Sequence, residues 1–303
     1  TVNCNYFILP ILKKKGKEFF MTLKKNLSTS LILSLFMAGC FAHKEAPQRP
    51  VTARGLEEAE KIAAEVQRVD LSNTKLAIVP ESVKGMPKLD TLYLANGTYT
   101  NFSALEGLKT LKVLDLSYIK LTQVPTELAS IVSLRDLYLA NCNLNEMPEF
   151  LAGLPELRYI NLDRNNLTSI PKNLPIGLKW LRLNGNKLTA LPDEIGNLTK
   201  LERIYLRDNK LSTLPKSLAA CTKIEDVNLA NNNLNEFPSV LLQLPKLRNL
   251  DLSGNPNLKK LPDDISKMTS LRTLILRGTG LKLTEEGRDK IRKSLHHTCV
   301  VIF

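Results

Sequence analysis

Ten times between Val66 and the end of the chain, apolar residues fall at the first, fourth and sixth positions of a repeating segment. The copies begin at Val66, Leu89, Leu111, Leu134, Leu157, Leu178, Leu201, Ile224, Leu247 and Leu271, at steps of 21 to 24 residues. Leu134, Leu137 and Leu139 make one set, and Leu201, Ile204 and Leu206 another. The fourth and sixth positions alternate with polar residues, as in a strand buried on one face. A further apolar residue follows at the eleventh position, such as Leu188 or Leu211, and then a pair such as Leu191-Pro192 or Phe237-Pro238. The second half of each copy adds its own apolar pair, for example Ile195 and Leu198. A segment of this length cannot bury two apolar walls alone, so copies must stack, each covering the next. That constraint excludes an ordinary globular core and requires an elongated array.

The pattern LxxLxLxxNxL followed by LPxxIxxL resembles the leucine-rich-repeat family. The resemblance covers about residues 56–303. It implies an α/β solenoid of about ten repeats, with a parallel β-sheet on the concave side and short helices or irregular turns on the convex side. In that family the ninth-position Asn bonds buried backbone groups of adjacent turns. Here the position holds Asn165, Asn186, Asn209, Asn232 and Asn255 in five successive copies. Earlier copies carry Thr74, Gly97, Ile119 and Cys142 instead, so the N-terminal half is expected to be looser.

Solenoid ends need covers. Leu56, Ala59, Ile62 and Ala63 share one face of a helix expected over residues 56–66, which suits a leading cap. Residues 56–283 then form the solenoid. Residues 284–303 form the trailing cap: Thr284 starts a helix with Glu285 and Glu286 in its first turn, and the segment CVVIF forms a last strand or edge cover.

Upstream, the segment from Met21 reads as a secretory leader over residues 21–39: two lysines, a short apolar run and then small residues. Met37-Ala38-Gly39-Cys40 resembles a bacterial lipobox, which implies cleavage before Cys40, acylation of Cys40 with palmitate-type chains, and a membrane anchor. Phe41 rather than Asp follows, which tilts the expected location in the bacterial cell envelope towards the outer membrane. Residues 40–55, with two prolines, read as the lipidated cysteine and a flexible tether. Residues 1–20 precede the methionine where a leader would begin, and purine-rich codons are required for Lys15-Gly16-Lys17-Glu18. They are expected to be upstream sequence absent from the native protein.

The net charge is +12, but the first 39 residues hold six Lys against one Glu, which leaves a diffuse +7 for the rest. That argues for no nucleic-acid partner. The three histidines are His43, His296 and His297, none within the repeats. With no Gly-rich phosphate loop and no nucleophile motif, neither an enzyme nor a cofactor is expected. His296, His297 and Cys299 lack the spacing of a metal site, so no metal is expected either. Cys142 and Cys221 read as small buried apolar residues.

With the register fixed, the third, fifth and seventh positions point out of the concave sheet. The flanking copies place mostly small or acidic residues there, whereas the fourth to seventh copies gather rings and guanidinium groups. The candidate partner-binding set is Tyr138, Tyr159, Asp163, Trp180, Arg182, Arg203, Tyr205 and Arg207. Trp, Tyr and Arg combine large contact area with polar tips and dominate interface hot spots. The competing reading is that these side chains cover one another, with Arg203 stacked on Trp180. The family resemblance implies protein binding on the concave face by a monomer, extending to host or matrix adhesion in surface-exposed members. An envelope-structural protein binding glycan or peptidoglycan is the alternative.

Overall fold

The structure, a computed structural model, describes residues 49–303. The expected leader, Cys40 and most of the tether lie outside the described residues. Twelve strands of three residues each form one parallel sheet in strict chain order. They are Thr52–Arg54 (β1), Arg68–Asp70 (β2), Thr91–Tyr93 (β3), Val113–Asp115 (β4), Asp136–Tyr138 (β5) and Tyr159–Asn161 (β6). Trp180–Arg182 (β7), Arg203–Tyr205 (β8), Asp226–Asn228 (β9), Asn249–Asp251 (β10), Thr273–Ile275 (β11) and Val300–Ile302 (β12) complete it. Strands β2 to β11 are the third to fifth positions of the ten leucine copies, in the expected phase. The fourth-position residue of each pairs in register with its counterpart, as in Leu181 beside Ile204.

The leucines form one continuous core from Ala53 to Leu295. Its convex wall is built from short 3₁₀ turns, for example Glu149–Gly153, Asp193–Asn197 and Lys216–Ala220. A proline precedes most of them: Pro148, Pro192 and Pro215 hold extended backbone, and their carbonyls accept the N–H three residues on. The interval between Leu157 and Leu178 has no such turn, which fits its being the shortest copy, two residues below the usual step.

The five ninth-position asparagines do what the family resemblance implies. The Asn209 amide donates to the Leu183 carbonyl of the preceding copy at 2.9 Å and to Leu206 of its own at 3.0 Å, while its carbonyl oxygen accepts the Leu188 N–H at 3.0 Å. Each such residue therefore satisfies three buried backbone groups and joins two copies. Copies lacking the Asn improvise. Gly97 leaves room for the Tyr99 ring, which a Cβ at Gly97 would meet at 2.3 Å. The Tyr99 hydroxyl, buried, donates to the Leu71 carbonyl at 3.0 Å and bonds the Thr74 hydroxyl at 2.6 Å. The Cys142 thiol donates to Leu116 at 3.1 Å. Ile119 is fully buried and brings no polar atom to that place.

A column not read from the sequence governs the bend after each strand. All ten eighth-position residues, Asn73 to Gly278, have φ between 53° and 67°. That left-handed region favours Gly and Asn, which fill seven of the ten positions. Tyr118, Arg164 and Asp208 are the exceptions.

Two boundaries need correction. The tether expected through residue 55 ends before Thr52, because β1 pairs with β2 and buries Ala53. The leading cap helix, expected over 56–66, is Leu56–Lys61 (α1), followed by turns. The array therefore has an extra strand at each end of the ten copies; the expected strand in CVVIF is β12. The trailing helix Glu285–Ser294 (α2) starts as expected, with the Thr284 hydroxyl accepting the Gly287 N–H at 3.2 Å.

Candidate functional site

The concave face is the outer surface of strands β2 to β11, where in-register pairing lines up equal positions of successive copies about 4.8 Å apart. The third-position row runs Val113, Asp136, Tyr159, Trp180, Arg203, Asp226, and the fifth-position row runs Tyr93, Asp115, Tyr138, Asn161, Arg182, Tyr205.

Trp180 does face outward, 37% exposed, between the buried Leu178 and Leu181. It belongs to a chain of ring contacts. Tyr138 and Tyr159 pack with centroids 4.9 Å apart, Tyr159 meets Trp180 edge-on at 5.8 Å, and the Arg203 guanidinium lies 4.6 Å above the indole. A second group forms beside it. Arg182 sits 5.2 Å from the Tyr205 ring and reaches Asp163 by two nitrogens, at 2.6 and 2.8 Å. Each ring pair contributes about 0.5–1.5 kcal/mol and each guanidinium–ring pair about 0.5–1 kcal/mol at this exposure, enough to hold the side chains in place. Burial pushes the Tyr159 hydroxyl up to about 12, so it stays a neutral donor.

Of the eight sequence-selected residues, seven have side chains that line the face. Asp163 does not: it is only 8% exposed, with one oxygen on Arg182 and the other accepting the Asn184 N–H at 2.8 Å. Its work is to position Arg182. Arg207 is exposed and paired with Asp208 at 3.2 Å, apart from the stacked rings. The self-covering contacts foreseen for Arg203 and Trp180 exist, yet they leave the indole partly open. Sequence reasoning missed Asp226, which holds Arg203 at 3.0 Å. The signal was present, since Asp226 follows Arg203 in the third-position row, but it carries meaning only once register is fixed. Beyond Tyr205, a hollow of about 280 Å³ has a polar rim of Asp226, Asn228, Asn249 and Asp251.

Known proteins share the fold that carries this face. A leucine-rich-repeat family model matches residues 176–234 and 222–281, and a second leucine-rich-repeat model matches residues 133–154. No curated protein matches the chain. Among solved structures, a leucine-rich-repeat protein of Leptospira interrogans is 26% identical, with a TM-score of 0.55 over 82% of this chain and 75% of that one. The chain folds as a leucine-rich-repeat solenoid. The leucine-rich-repeat ectodomain of a membrane receptor kinase from Arabidopsis thaliana, solved in complex with Casparian strip integrity factor 2, is also 26% identical. Its TM-score is 0.62, and the match covers 76% of this chain but 32% of that one. An internalin of Listeria monocytogenes, at 18% identity, shares the fold with a TM-score of 0.61 over 82% of this chain and 76% of that one. Leucine-rich-repeat architecture generally serves protein–protein interaction, and in this chain the exposed aromatic row occupies the concave sheet.

Proposed function

We propose that this leucine-rich-repeat protein is a membrane-anchored binding protein that holds a protein or peptide segment on its concave face. The carrying observation is the row Tyr138, Tyr159, Trp180, Arg203, fixed by mutual stacking and open to solvent at the indole. Rings already locked in place lose little side-chain freedom on binding, which favours affinity. The Arabidopsis ectodomain solved with its ligand supports a protein or peptide as the occupant. Acylation at Cys40 would tether the binding face to a bacterial envelope membrane, with the outer membrane as the proposed site and adhesion to host or matrix proteins as one use.

The test is a panning of displayed random peptides on the purified protein, followed by affinity measurement on Trp180→Ala/Tyr205→Ala. Hot-spot truncation costs about 2 kcal/mol or more, so enriched peptides should weaken about thirty-fold while the melting midpoint holds. Peptides that bind the double variant as tightly as the parent would place the site elsewhere.

A further inference from the structure

The charges on the concave face are not evenly matched. Both guanidinium groups stacked on the rings have a carboxylate, Arg182 with Asp163 and Arg203 with Asp226, and Arg207 beyond them has Asp208. On the C-terminal side the carboxylates are also engaged. Asp226 accepts from Asn249 as well as Arg203, and Asp251 accepts the Ser253 N–H at 2.9 Å and the Asn228 amide at 3.5 Å. The N-terminal side differs. Asp115 uses one oxygen for the Ser117 N–H at 2.8 Å and has no cationic partner among the described residues. The Asp136 carboxylate has neither hydrogen bond nor ion pair among the described residues; its backbone N–H is bonded to the Lys112 carbonyl at 2.9 Å. Its neighbouring cations, Arg135 and Arg158, are turned to Glu156, at 4.0 and 2.8 Å.

These two carboxylates are set among rings. In the fifth-position row Asp115 lies between Tyr93 and Tyr138, and in the third-position row Asp136 lies beside Tyr159. All five residues are half-buried. Desolvation raises the Asp136 carboxyl above its ordinary value against the weaker pull of Arg135 and Arg158. Burial, then the negative field of Asp136 and Asp115, raises the Tyr138 hydroxyl. The field at the Tyr138 ring is therefore negative, and two half-buried carboxylates stand without an ion-pair partner among the described residues. An ammonium or guanidinium placed there gains charge-assisted hydrogen bonds and ring faces together. A carboxylate placed there meets repulsion, and a neutral side chain leaves Asp136 unpaired and further dehydrated.

We propose that the ligand enters with a basic side chain, lysine or arginine, seated on Asp115 and Asp136 between the rings of Tyr93, Tyr138 and Tyr159, and an apolar side chain against Trp180. This rests on the concave-face reading above and narrows it to a basic, apolar peptide segment. Asp136 and Trp180 are two strands apart, about 10 Å across the stack, so one extended peptide reaches both within about three residues.

Trp180 is the sole tryptophan, so its emission reports on the face directly. The protein is titrated with the acetylated, amidated tripeptide Leu-Lys-Leu and separately with Leu-Glu-Leu. The lysine peptide should shift Trp180 emission saturably, with the effect falling as salt rises, and the glutamate peptide should not. Asp136→Asn, which breaks no internal bond, should weaken the lysine peptide about ten-fold, and Asp115→Asn/Asp136→Asn further. The amide introduced by Asp115→Asn retains an oxygen for the Ser117 N–H, and unchanged melting midpoints establish that both variants fold. A lysine peptide without a saturable signal, one indifferent to both variants, or a glutamate peptide bound equally well would overturn the proposal. The concave-face reading fails separately: it falls if panned peptides ignore Trp180→Ala/Tyr205→Ala. It survives, with the basic-ligand proposal lost, if they respond to that variant but not to the aspartate variants.

Discussion

At the scale of single residues, one position in each copy decides how firmly it is stitched to the last. Asn209→Ala would strand the Leu183 and Leu206 carbonyls and the Leu188 N–H inside the core. At about 1–3 kcal/mol for each unsatisfied group, with some relaxation, a loss of about 3 kcal/mol is expected in denaturant unfolding. Cys142→Asn should move the other way. The thiol there reaches the Leu116 carbonyl at 3.1 Å and the Ala140 carbonyl at 3.5 Å, and burial pushes it up to about 12, so it serves only as a weak neutral donor. An amide of similar size would add bonds, for a gain of about 1 kcal/mol, read as a melting midpoint raised by about 2–4 °C. These asparagines were legible in the sequence because they recur at one position against an apolar background. The Tyr99 substitute was not, since its hydroxyl serves the place vacated by Gly97 from two residues away. Nor was Asp163 as a buried support for Arg182: periodicity assigns a face, but not which of two facing charges is consumed by the other.

At the scale of elements, the strands were readable because leucine spacing fixes phase, and a one-residue slip would have turned every leucine to solvent. The first strand escaped notice for the opposite reason. It inserts only Ala53, and a lone alanine has no period. The caps behave as edges do. Leu295 alone is buried in the trailing cap. Ile291, Val301 and Phe303 are partly buried, and Arg288 and Arg292 lie 5.5 and 5.1 Å from the Phe303 ring. An element held so lightly opens on its own before the array unfolds. Thr284→Ala removes the α2 cap bond, worth about 1 kcal/mol. Limited proteolysis within α2 should then quicken about five-fold at an unchanged global midpoint. A midpoint falling in step with the cleavage rate would mean that α2 and the repeats unfold as one unit.

For the whole solenoid, stability is a chain of nearest-neighbour terms, so its weakest junction sets where it opens. The sequence alone suggested a broadly looser N-terminal half. The structure narrows that to one place. Copies beginning at Leu89 and Leu134 replace the missing asparagine by the Tyr99 hydroxyl and the Cys142 thiol, whereas the copy beginning at Leu111 offers only the Ile119 hydrocarbon. That same copy holds Tyr118 at φ 63°, a left-handed conformation that suits neither bulky nor β-branched side chains. Native-state hydrogen exchange should therefore show a minimum of protection over residues 111–133 within the repeats, rising on both sides and highest between Asn165 and Asn255. Tyr118→Gly together with Ile119→Asn should erase that minimum, because the first substitution relieves the backbone and the second supplies the bonds. If protection rose smoothly from the N-terminal end to Asn165, the absent asparagines would be acting collectively, and the local substitutions would leave the profile as it was. The position matters for binding, because Asp115 lies on the opposite face of this copy. A junction that opens here loosens the acidic end of the concave face while Trp180, held between asparagine-bearing copies, stays in place.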